Sequence, residues 1–482
     1  MAYTTNSANI VNVSSFPIDP TGVSDSTTAT QNALNEFGAD GGQLIVPYNV
    51  QLAIGGNLTV PPNVTIKGPK SFVGVMTANS FSSNYAAQGG AILLASTATI
   101  NLSAGAASDG ILVFRQGMTF PATDSSAFAG TAFTMIGDES QILHSMVLGF
   151  NQAASANGFS KMTFEGMRFD CNGGILINNS GDVCHINKCH GWSYAVYRTG
   201  VTAAQLQRSG IAYAISNSND WTKFSDSFCY GFLTGFETNN SQSVSFSQCS
   251  ADNTANAYGT GFAIIGSSAD IEMLGCQAAA QVNGFYFNNS GFASRMTGCT
   301  AWGNTTNGVM MDTLSGDVNI VGGEVRNSPN GISYNNAAAR LDVSGGFRMD
   351  GSVTTPFNVG VSTSSIRIDE SCDFTNFSAS NALIGTPANV IVPNVASAAS
   401  VTLPWTGDLF NITGTTNFGT LFGGYAGRTV TLVFQGALSV FNSTGAQTAM
   451  KLNGSTTFSP TANSTLTLRH NGVQWYEIGR NA

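Results

Sequence analysis

Apolar and polar residues alternate in short runs between Lys161 and about Pro393, and the pattern repeats roughly every 20 to 27 residues. In three successive units an apolar-alternating run ends at a cysteine, and an Asn-Gly or Thr-Gly turn then precedes a second apolar run. These cysteines are Cys249, Cys276 and Cys299. Alternation with period two predicts strands that bury one face. Each unit is therefore predicted to form two short strands joined by turns.

The position of the cysteine is kept in the other units, where small residues or methionine replace it. These units carry Met167, Cys189, Ser227, Gly323 and Gly346. A small side chain suits a crowded bend, and no helical period competes. Because a unit this short cannot bury its own apolar face, successive coils must stack and pair. The pattern predicts an all-β fold, a right-handed parallel β-solenoid.

Composition agrees with such a fold, since 9% of residues are charged and 55 are glycine. Pairs of asparagine follow the second strand of several units, and asparagine tolerates left-handed turns and can bond to its equivalent in the next coil. We interpret them as structural ladders rather than as a sugar-binding strip. The pairs are Asn178-Asn179, Asn239-Asn240, Asn288-Asn289 and Asn335-Asn336.

The eight cysteines predict packed thiols rather than disulfides, because several fall on one inward position. The nearest approach to a metal motif is Cys184-His185 with Cys189-His190. Alternate members of that set point to opposite faces of a strand, which disfavours zinc. No metal and no cofactor are expected.

The net charge of −9 and the pI near 4.8 disfavour nucleic acid as a partner. The N-terminus has neither a charged n-region nor an apolar h-region, and no run of 18 apolar residues follows. We therefore expect a protein made in the cytosol, with no signal peptide and no membrane insertion.

The segment from Asp19 to Pro47 predicts a short helix followed by a strand. Asp25 is the expected helix cap, and Ala29, Ala33 and Phe37 lie on one helical side. A helix there would cover the open end of the first coil, which otherwise exposes an apolar cross-section and a free strand edge.

The coil period ends before Ser400, and short strands separated by Gly, Asn and Thr turns follow. We expect a separate β-rich domain at 394–482, after a β-helix at 69–393. The capping helix and first coils are placed at 17–68, and a short attachment segment at 1–16.

Both flanks resemble one family. The run Asp19 to Pro47, with NLTVPPNVTIKG at 57–68, resembles the start of the pectate-lyase-like β-helix superfamily, as found in bacteriophage tailspikes and polysaccharide depolymerases. The family pattern is Gly-Asp-Gly followed by Thr-Asp-Asp; here Asp-Pro-Thr-Gly at 19–22 and Ser-Asp-Ser at 24–26 are a diverged version. Gly-Gly-Tyr-Ala-Gly-Arg at 423–428 and Trp-Tyr-Glu-Ile at 475–478 resemble the C-terminal domain of phage tail proteins.

The resemblance implies a homotrimer on a virion, attached to phage tail or baseplate proteins through its N-terminus. It implies fold rather than chemistry, because this solenoid hosts lyases, hydrolases and binders. The site must therefore come from the exposed columns.

One column lies three residues after the cysteine position and is expected to point outward, one rung per about 4.8 Å. Its members are Asp170, Trp192, Tyr230, Asp252, Ala279 and Trp302. Aromatic faces suit sugar rings, so Trp192, Tyr230 and Trp302 are predicted to bind a glycan. The alternative is that these rings pack under a loop or against another subunit. An insertion between Arg198 and Asp220 lengthens one coil, and we expect it to form one side of a glycan-binding groove along this column.

Hydrolysis of a glycosidic bond uses two carboxyl groups, about 5 to 5.5 Å apart for retention or about 6.5 to 9.5 Å for inversion. The catalytic candidates are Glu165, Asp170, Asp226 and Asp252. For any single Asp among them, a turn role that satisfies backbone amides is the alternative.

A second column, four residues before the cysteine position, mixes charges. It contains Thr163, His185, Lys223, Ser245, Glu272, Arg295, Asn319 and Asp342. Glu272 and Arg295 are predicted to form a cross-strand ion pair. A lyase acting on acidic sugars would need a base such as Lys223 or His185.

The leading hypothesis is a phage tailspike that binds and hydrolyses host lipopolysaccharide or capsular polysaccharide. A polysaccharide lyase and a non-catalytic glycan-binding adhesin remain as alternatives on the same scaffold.

Overall fold

The computed structural model describes residues 9–69, 90–254, 258–291, 293–336, 338–350, 352–359, 365–368, 372–373, 394–404, 408–445 and 448–481. The chain divides into two compact units, residues 1–386 and 387–482. The first is a right-handed parallel β-helix and the second a small β-domain.

Three parallel sheets run along the β-helix, and from Gly42 to Val359 each coil contributes one strand to each sheet. Sheet A contains Ile10–Asn12, Gly42–Ile45, Val64–Lys67, Ala107–Asp109, Gln141–Leu143, Thr163–Glu165, His185–Asn187, Lys223–Ser225, Ser245–Ser247, Ile271–Leu274, Ser294–Thr297, Val318–Val321, Arg340–Ser344 and Ser365–Ile368. Sheet B contains Thr21–Asp25, Gln51–Ile54, Ala91–Leu94, Leu112–Arg115, Met146–Leu148, Arg168–Asp170, His190–Gly191, Phe228–Tyr230, Ser250–Asp252, Gln277–Ala279, Thr300–Trp302, Glu324–Arg326 and Arg348–Met349. Sheet C contains Leu58–Val60, Ile100–Leu102, Thr131–Met135, Gln152–Asn157, Gly173–Asn178, Arg208–Ser216, Phe232–Asn239, Thr260–Gly266, Asn283–Asn289, Asn307–Met311, Asn330–Tyr334 and Thr355–Val359.

The prediction of two strands per repeat was wrong, because each coil has three. The additional strand belongs to sheet B and begins directly after the small residue; Ser250–Asp252, for example, follows Cys249. At three residues it is too short to show an alternation of its own. The small residue itself lies in the bend between sheets A and B, as predicted.

Stacked side chains fill the interior. The rings of Tyr213, Phe236, Phe262 and Phe285 stack in sheet C, with successive centroids 4.7, 4.7 and 5.0 Å apart. All eight cysteines are free thiols, and seven of them are buried. Burial raises the pKa of the Cys189 thiol to about 12, so the group stays protonated and inert at neutral pH.

A ladder of asparagine side chains joins the turns after sheet C. Asn178 Nδ2 donates to Asn157 Oδ1 at 2.7 Å, and Asn217 Nδ2 donates to Asn178 Oδ1 at 2.8 Å. Asn179 has a left-handed backbone, with φ of 58°. These contacts confirm a structural role for the first asparagine pair, and they show that Asn157 and Asn217 extend the ladder.

The N-terminal helix is Thr27–Asn35, with Ser26 rather than Asp25 at its N-cap position. Asp25 Oδ1 instead accepts the amide of Thr27 at 3.2 Å. Gln31 exchanges two hydrogen bonds with the backbone of Thr59, in the edge strand of sheet C. A side chain of the helix thus binds the amide and the carbonyl of one residue of that edge strand. The role of the helix as a cap stays a prediction.

Three 3₁₀ turns complete the helical elements of the described residues, at Val13–Ser15, Ala204–Leu206 and Asn453–Ser455.

The C-terminal unit has a six-stranded sheet in the spatial order Asn394–Ala396, Leu409–Thr413, Thr429–Phe434, Thr465–His470, Trp475–Asn481 and Met450–Lys451. Ser400–Thr402 pairs separately with Thr420–Phe422. Its apolar core includes Trp475, whose indole Nε1 donates to the carbonyl of Leu421 at 2.9 Å. The unit therefore has a hydrophobic core of its own.

Candidate functional site on sheet B

The outer face of sheet B carries the column predicted to bind a glycan. The middle residue of each strand, such as Cys229 or Ala251, is buried in the solenoid core, so the flanking residues point outward. The register pairs Tyr230 with Asp252, Ala279 with Trp302, and Trp302 in turn with Arg326. The column is therefore continuous across these coils.

Two loops cover the N-terminal part of this face. One joins sheets B and C at 116–130, and the other is the insertion at 193–207. The amide of Ala122 donates to the carbonyl of Ala195 at 2.7 Å, and Arg198 Nη1 donates to the carbonyl of Ala122 at 2.6 Å. The two loops thus bind each other. They enclose an apolar cluster outside the solenoid core, formed by Ala91, Leu112, Phe114, Ala122, Phe128, Met146, Leu148, Tyr194, Ala195 and Val196.

The insertion begins earlier than its predicted position of 198–220. It leaves the solenoid after Trp192 and returns at Arg208, where the strand Arg208–Ser216 joins sheet C. The predicted wall is therefore formed by Ser193 to Gln207. Gln207 Nε2 donates to the hydroxyl of Thr254 at 3.1 Å, which ties this wall to the next-but-one coil.

Asp170 lies beneath this cover with no exposed surface. Arg208 donates to both of its oxygens, from Nε at 2.6 Å and from Nη2 at 3.1 Å, and the amide of Ala195 donates at 2.6 Å. Burial raises the pKa of Asp170, while the charge and hydrogen bonds of Arg208 oppose that shift. Every contact ties Asp170 to the base of the insertion, which favours a structural role; its catalytic role stays a prediction.

A cluster of aromatic rings forms the edge of the covered region. The ring of Trp192 lies 5.3 Å from Tyr194, 4.9 Å from Tyr197 and 6.3 Å from Tyr230, between centroids. Tyr194 is buried, whereas Trp192, Tyr197 and Tyr230 are each partly exposed. The insertion therefore presents an aromatic step to the open part of sheet B.

Asp252 lies next to this aromatic step, on the coil after Tyr230 and in register with it. Its Oδ1 accepts the amide of Asn253 at 2.7 Å, and the side chain is half-buried. Burial raises the pKa of Asp252, against the effect of the Asn253 amide. Burial, together with the charge of Asp252, also raises the pKa of Tyr230.

Beyond Asp252 the column has the small residue Ala279 and then a further aromatic residue, Trp302. Ala279 is buried and small, whereas Trp302 on the next coil is 37% exposed. The guanidinium of Arg326 lies 5.7 Å from the centre of the Trp302 ring, and its Nε lies 3.4 Å from Glu324 Oε1. Ala279 thus lies between Asp252 and Trp302, which are two rungs apart, or about 9.6 Å. We call this small-residue position of the column the notch.

The other two catalytic candidates lie outside this notch. Glu165 ends a strand of sheet A, and Asp226 is exposed in the left-handed bend between sheets A and B, with φ of 50°. Asp170 and Asp252 share one column but stand three rungs apart, about 14 Å. That spacing exceeds the range for a catalytic carboxyl pair. Their catalytic roles remain predictions.

Sequence reasoning named Ala279 as a column member without giving it a role, and it missed Arg208 and Arg326. Arg208 follows a long insertion, so its contact with Asp170, 38 residues away, has no local signal. Arg326 lies three residues after Gly323, so continuing the predicted column into that unit would have found it.

The column of mixed charge on sheet A is in register as predicted. Arg295 Nη1 lies 3.7 Å from Glu272 Oε1, which confirms the ion pair. Both side chains are mostly exposed, so the pair adds little to stability. Over the described ranges no group of three or more His, Cys, Asp or Glu side chains is placed to hold a metal.

Solved structures with a similar fold include enzymes named for carbohydrate substrates. The catalytic unit of a GH87 alpha-1,3-glucanase from Streptomyces thermodiastaticus is 14% identical, covers 78% of this chain and 70% of its own, and has a TM-score of 0.52. The DFA-IIIase of Arthrobacter chlorophenolicus A6, in a form without its lid, is 10% identical, covers 75% of this chain and 99% of its own, and has a TM-score of 0.50.

A tailspike protein of E. coli bacteriophage HK620 covers 98% of this chain and 92% of its own, at 12% identity and a TM-score of 0.46. No protein-family model and no curated protein matches the sequence. At these identities the likenesses to the glucanase and the DFA-IIIase show the fold alone, a right-handed parallel β-helix. In the described part of the chain no helix is both long and apolar enough to span a membrane.

Proposed function

We propose that this protein is a phage tailspike that binds a bacterial surface polysaccharide along the outer face of sheet B and hydrolyses it, with Asp252 as the general acid. The observation that carries the proposal is the placement of a half-buried carboxylate between an aromatic step and a notch that ends at Trp302. The polymer is lipopolysaccharide O-antigen or capsule.

The notch suits a sugar ring. Ala279 places no large side chain between Asp252 and Trp302, and the exposed ring of Trp302 offers a flat apolar face beside it. Binding sites for small molecules commonly combine such apolar faces with a few polar groups that fix orientation. Replacing Ala279 with Phe would fill the notch, and we expect polysaccharide binding to weaken at least about tenfold.

Asp252 suits the role of acid because its pKa is raised. A general acid must still hold its proton at the working pH, and burial favours the protonated form of a carboxyl group. A second carboxyl group would act as base or nucleophile. Asp226 is the predicted candidate in the preceding coil, and the trimer proposed from the resemblance could bring one from another subunit.

The experiment is to incubate the purified protein with surface polysaccharides from a panel of bacterial strains and to measure released oligosaccharides by mass. We expect fragments from at least one polymer, and Asp252→Asn should slow their release at least about a hundredfold. Ser250→Ala, on the same strand, is the matched control and should change the rate less than about threefold.

Absence of fragments from a polymer that the protein binds would overturn the hydrolytic proposal. An ultraviolet-absorbing unsaturated product would instead identify a lyase.

Binding without cleavage is the second candidate, and one observation favours it. On the outward positions of the sheet B strands from Phe228 to Arg326, the carboxylates are Asp252 and Glu324. They are about three rungs apart, and Glu324 is paired with Arg326. A non-catalytic adhesin predicts tight binding by the Asp252→Asn protein and release of no fragment by either protein.

A further inference from the structure

Trp221 lies in the turn that leads into the strand Lys223–Ser225 of sheet A. This turn is at the end of the strand remote from the bend into sheet B. Its φ is 58°, in the left-handed region, and its side chain is 55% exposed. A bulky residue seldom adopts this conformation, and the exposed ring recovers little of the cost by burial.

The same turn position in other coils has the same backbone but polar side chains. Lys161, Ser243 and Asp270 each lie two residues before register-matched positions of sheet A, with φ of 57°, 54° and 54°. The turn therefore does not require tryptophan. Asn would suit this backbone better, because its short polar side chain tolerates the left-handed region.

Two basic side chains accompany the ring. Lys223 Nζ lies 5.2 Å from the centre of the Trp221 ring, and His185 is directly opposite Lys223 on the preceding coil. Among the described residues, no carboxylate oxygen lies within 4.0 Å of the Lys223 ammonium or of the His185 ring nitrogens.

The neighbouring carboxylates are directed elsewhere, which leaves the Lys223 ammonium able to bind a ligand. Asp182, before His185, lies 3.8 Å from Lys161 Nζ. Asp220, before Trp221, has a buried Oδ1 and so turns at least one oxygen away from solvent. On the following coil, Ser243 and Ser245 are small, so that side of the ring stays open.

We propose that Trp221 and Lys223 form a second carbohydrate site, separate from the sheet B groove, that takes a sugar carrying a carboxylate. The sugar ring stacks on the open face of the indole, and the ammonium of Lys223 binds the acid group as a point charge. The strand Lys223–Ser225 separates this site from the bend into sheet B.

The second site extends the proposed function. It rests on that function only in the claim that one polymer binds to both sites. A repeating polysaccharide that engages two sites on one protein gains avidity, because the second contact is intramolecular. For an acidic polymer, the ammonium of Lys223 is a local attraction on a protein whose net charge of −9 otherwise repels it.

The test uses the full chain labelled with 5-fluorotryptophan, so that each of the five tryptophans gives a ¹⁹F signal. Trp221→Phe assigns one signal and Trp302→Phe another. The probes are the methyl glycosides of glucuronic acid and of glucose, titrated to high millimolar concentration. We expect the Trp221 signal to shift with the glucuronoside, with a dissociation constant at least fivefold lower than for the glucoside.

Lys223→Gln should weaken glucuronoside binding about threefold to fivefold, as expected for one exposed ion pair. Lys188→Gln, on the far side of the same sheet, is the matched control. No shift of the Trp221 signal, or equal response to both glycosides, would overturn the proposal. A shift at Trp221 with no fragment release and no Trp302 response to any polysaccharide would keep the second site while the proposed function fails.

Trp221→Asn distinguishes binding from packing. Because Asn fits the left-handed turn, we expect the variant to unfold at a higher temperature than the parent while its affinity for acidic polysaccharide falls. A lower unfolding temperature would assign Trp221 to packing and overturn the proposal.

Discussion

Two aspartates of one outward column have opposite environments. Asp170 is fully buried and receives two hydrogen bonds from Arg208, whereas Asp252 is half-buried and receives one from a backbone amide. Position in the repeat is equivalent, so the difference comes from the insertion that covers the first and stops short of the second. The burial and hydrogen bonding of an outward residue on sheet B therefore depend on whether a loop covers it.

Asp170→Asn should destabilise the protein strongly. The change leaves the guanidinium of Arg208 buried without a counter-charge, and breaking a buried pair in this way costs about 3 to 5 kcal/mol. Denaturant unfolding followed by fluorescence measures this cost. Asp252→Asn is the matched control, and a similar loss in both variants would contradict the distinction between the two aspartates.

Asp252→Asn should have a stability effect that depends on pH. A raised pKa means that the folded protein holds the proton more tightly than the unfolded chain, so the ionised carboxyl group costs stability above the folded pKa. Relative to the parent, the Asn protein should be as stable or more stable at pH 7. The difference should shrink as pH falls toward the unfolded value of about 4. A difference that grows on acidification would contradict the raised pKa.

At the scale of elements, the insertion 193–207 and the loop 116–130 form a joint cover on sheet B. The contacts that join them link residues about 75 positions apart, such as Arg198 Nη2 to the carbonyl of Thr123 at 3.3 Å. Neither segment has a hydrophobic pattern that continues the coil. The cover is held by hydrogen bonds to backbone carbonyls and by the apolar cluster that it encloses.

Arg198→Ala should loosen this cover. The part-buried bond from Arg198 to Ala122 has a charged donor and contributes about 1.5 to 3 kcal/mol, whereas the exposed bond to Thr123 contributes less. Loss of both raises the population of the open loops. We expect proteinase K to cut within 116–130 or 193–207 at least about tenfold faster. Arg295→Ala, which removes an exposed pair, should leave the cutting rate unchanged; equal effects would contradict the cover.

Features that depend on local repetition could be predicted from the sequence, whereas features that depend on contacts between distant residues could not. Period-two alternation predicted the stacked coils, and the frame around Cys249 placed Tyr230, Asp252 and Trp302 in one column. The third strand of each coil was too short to alternate. The burial of Asp170 could not be predicted, since it requires Arg208 to return across the sheet after the insertion.

At the scale of the whole molecule, the two units have separate hydrophobic cores. In the C-terminal unit, Trp475 is buried and its indole donates to Leu421. The resemblance to tail proteins predicts that this unit helps to form a trimer. Sedimentation equilibrium should give a mass three times that of the 50.0 kDa chain, and a monomer at micromolar concentration would contradict the trimer.

The C-terminal unit should also fold without the β-helix. Residues 387–482 produced alone are expected to unfold cooperatively. They contain two tryptophans, Trp405 and Trp475, and we expect a blue-shifted component of the emission that Trp475→Phe removes. An aggregated product, or emission without that component, would show that the core of this unit depends on the rest of the chain.

The central claim is that a bacterial polysaccharide binds on sheet B beside Asp252. Hydrogen exchange measured with and without a polysaccharide selected from the strain panel tests it most directly. We predict protection in the strands Phe228–Tyr230, Ser250–Asp252, Gln277–Ala279 and Thr300–Trp302, lost in the Ala279→Phe protein. Binding that leaves these four strands unprotected, or that protects them equally when the notch is filled, would contradict the account.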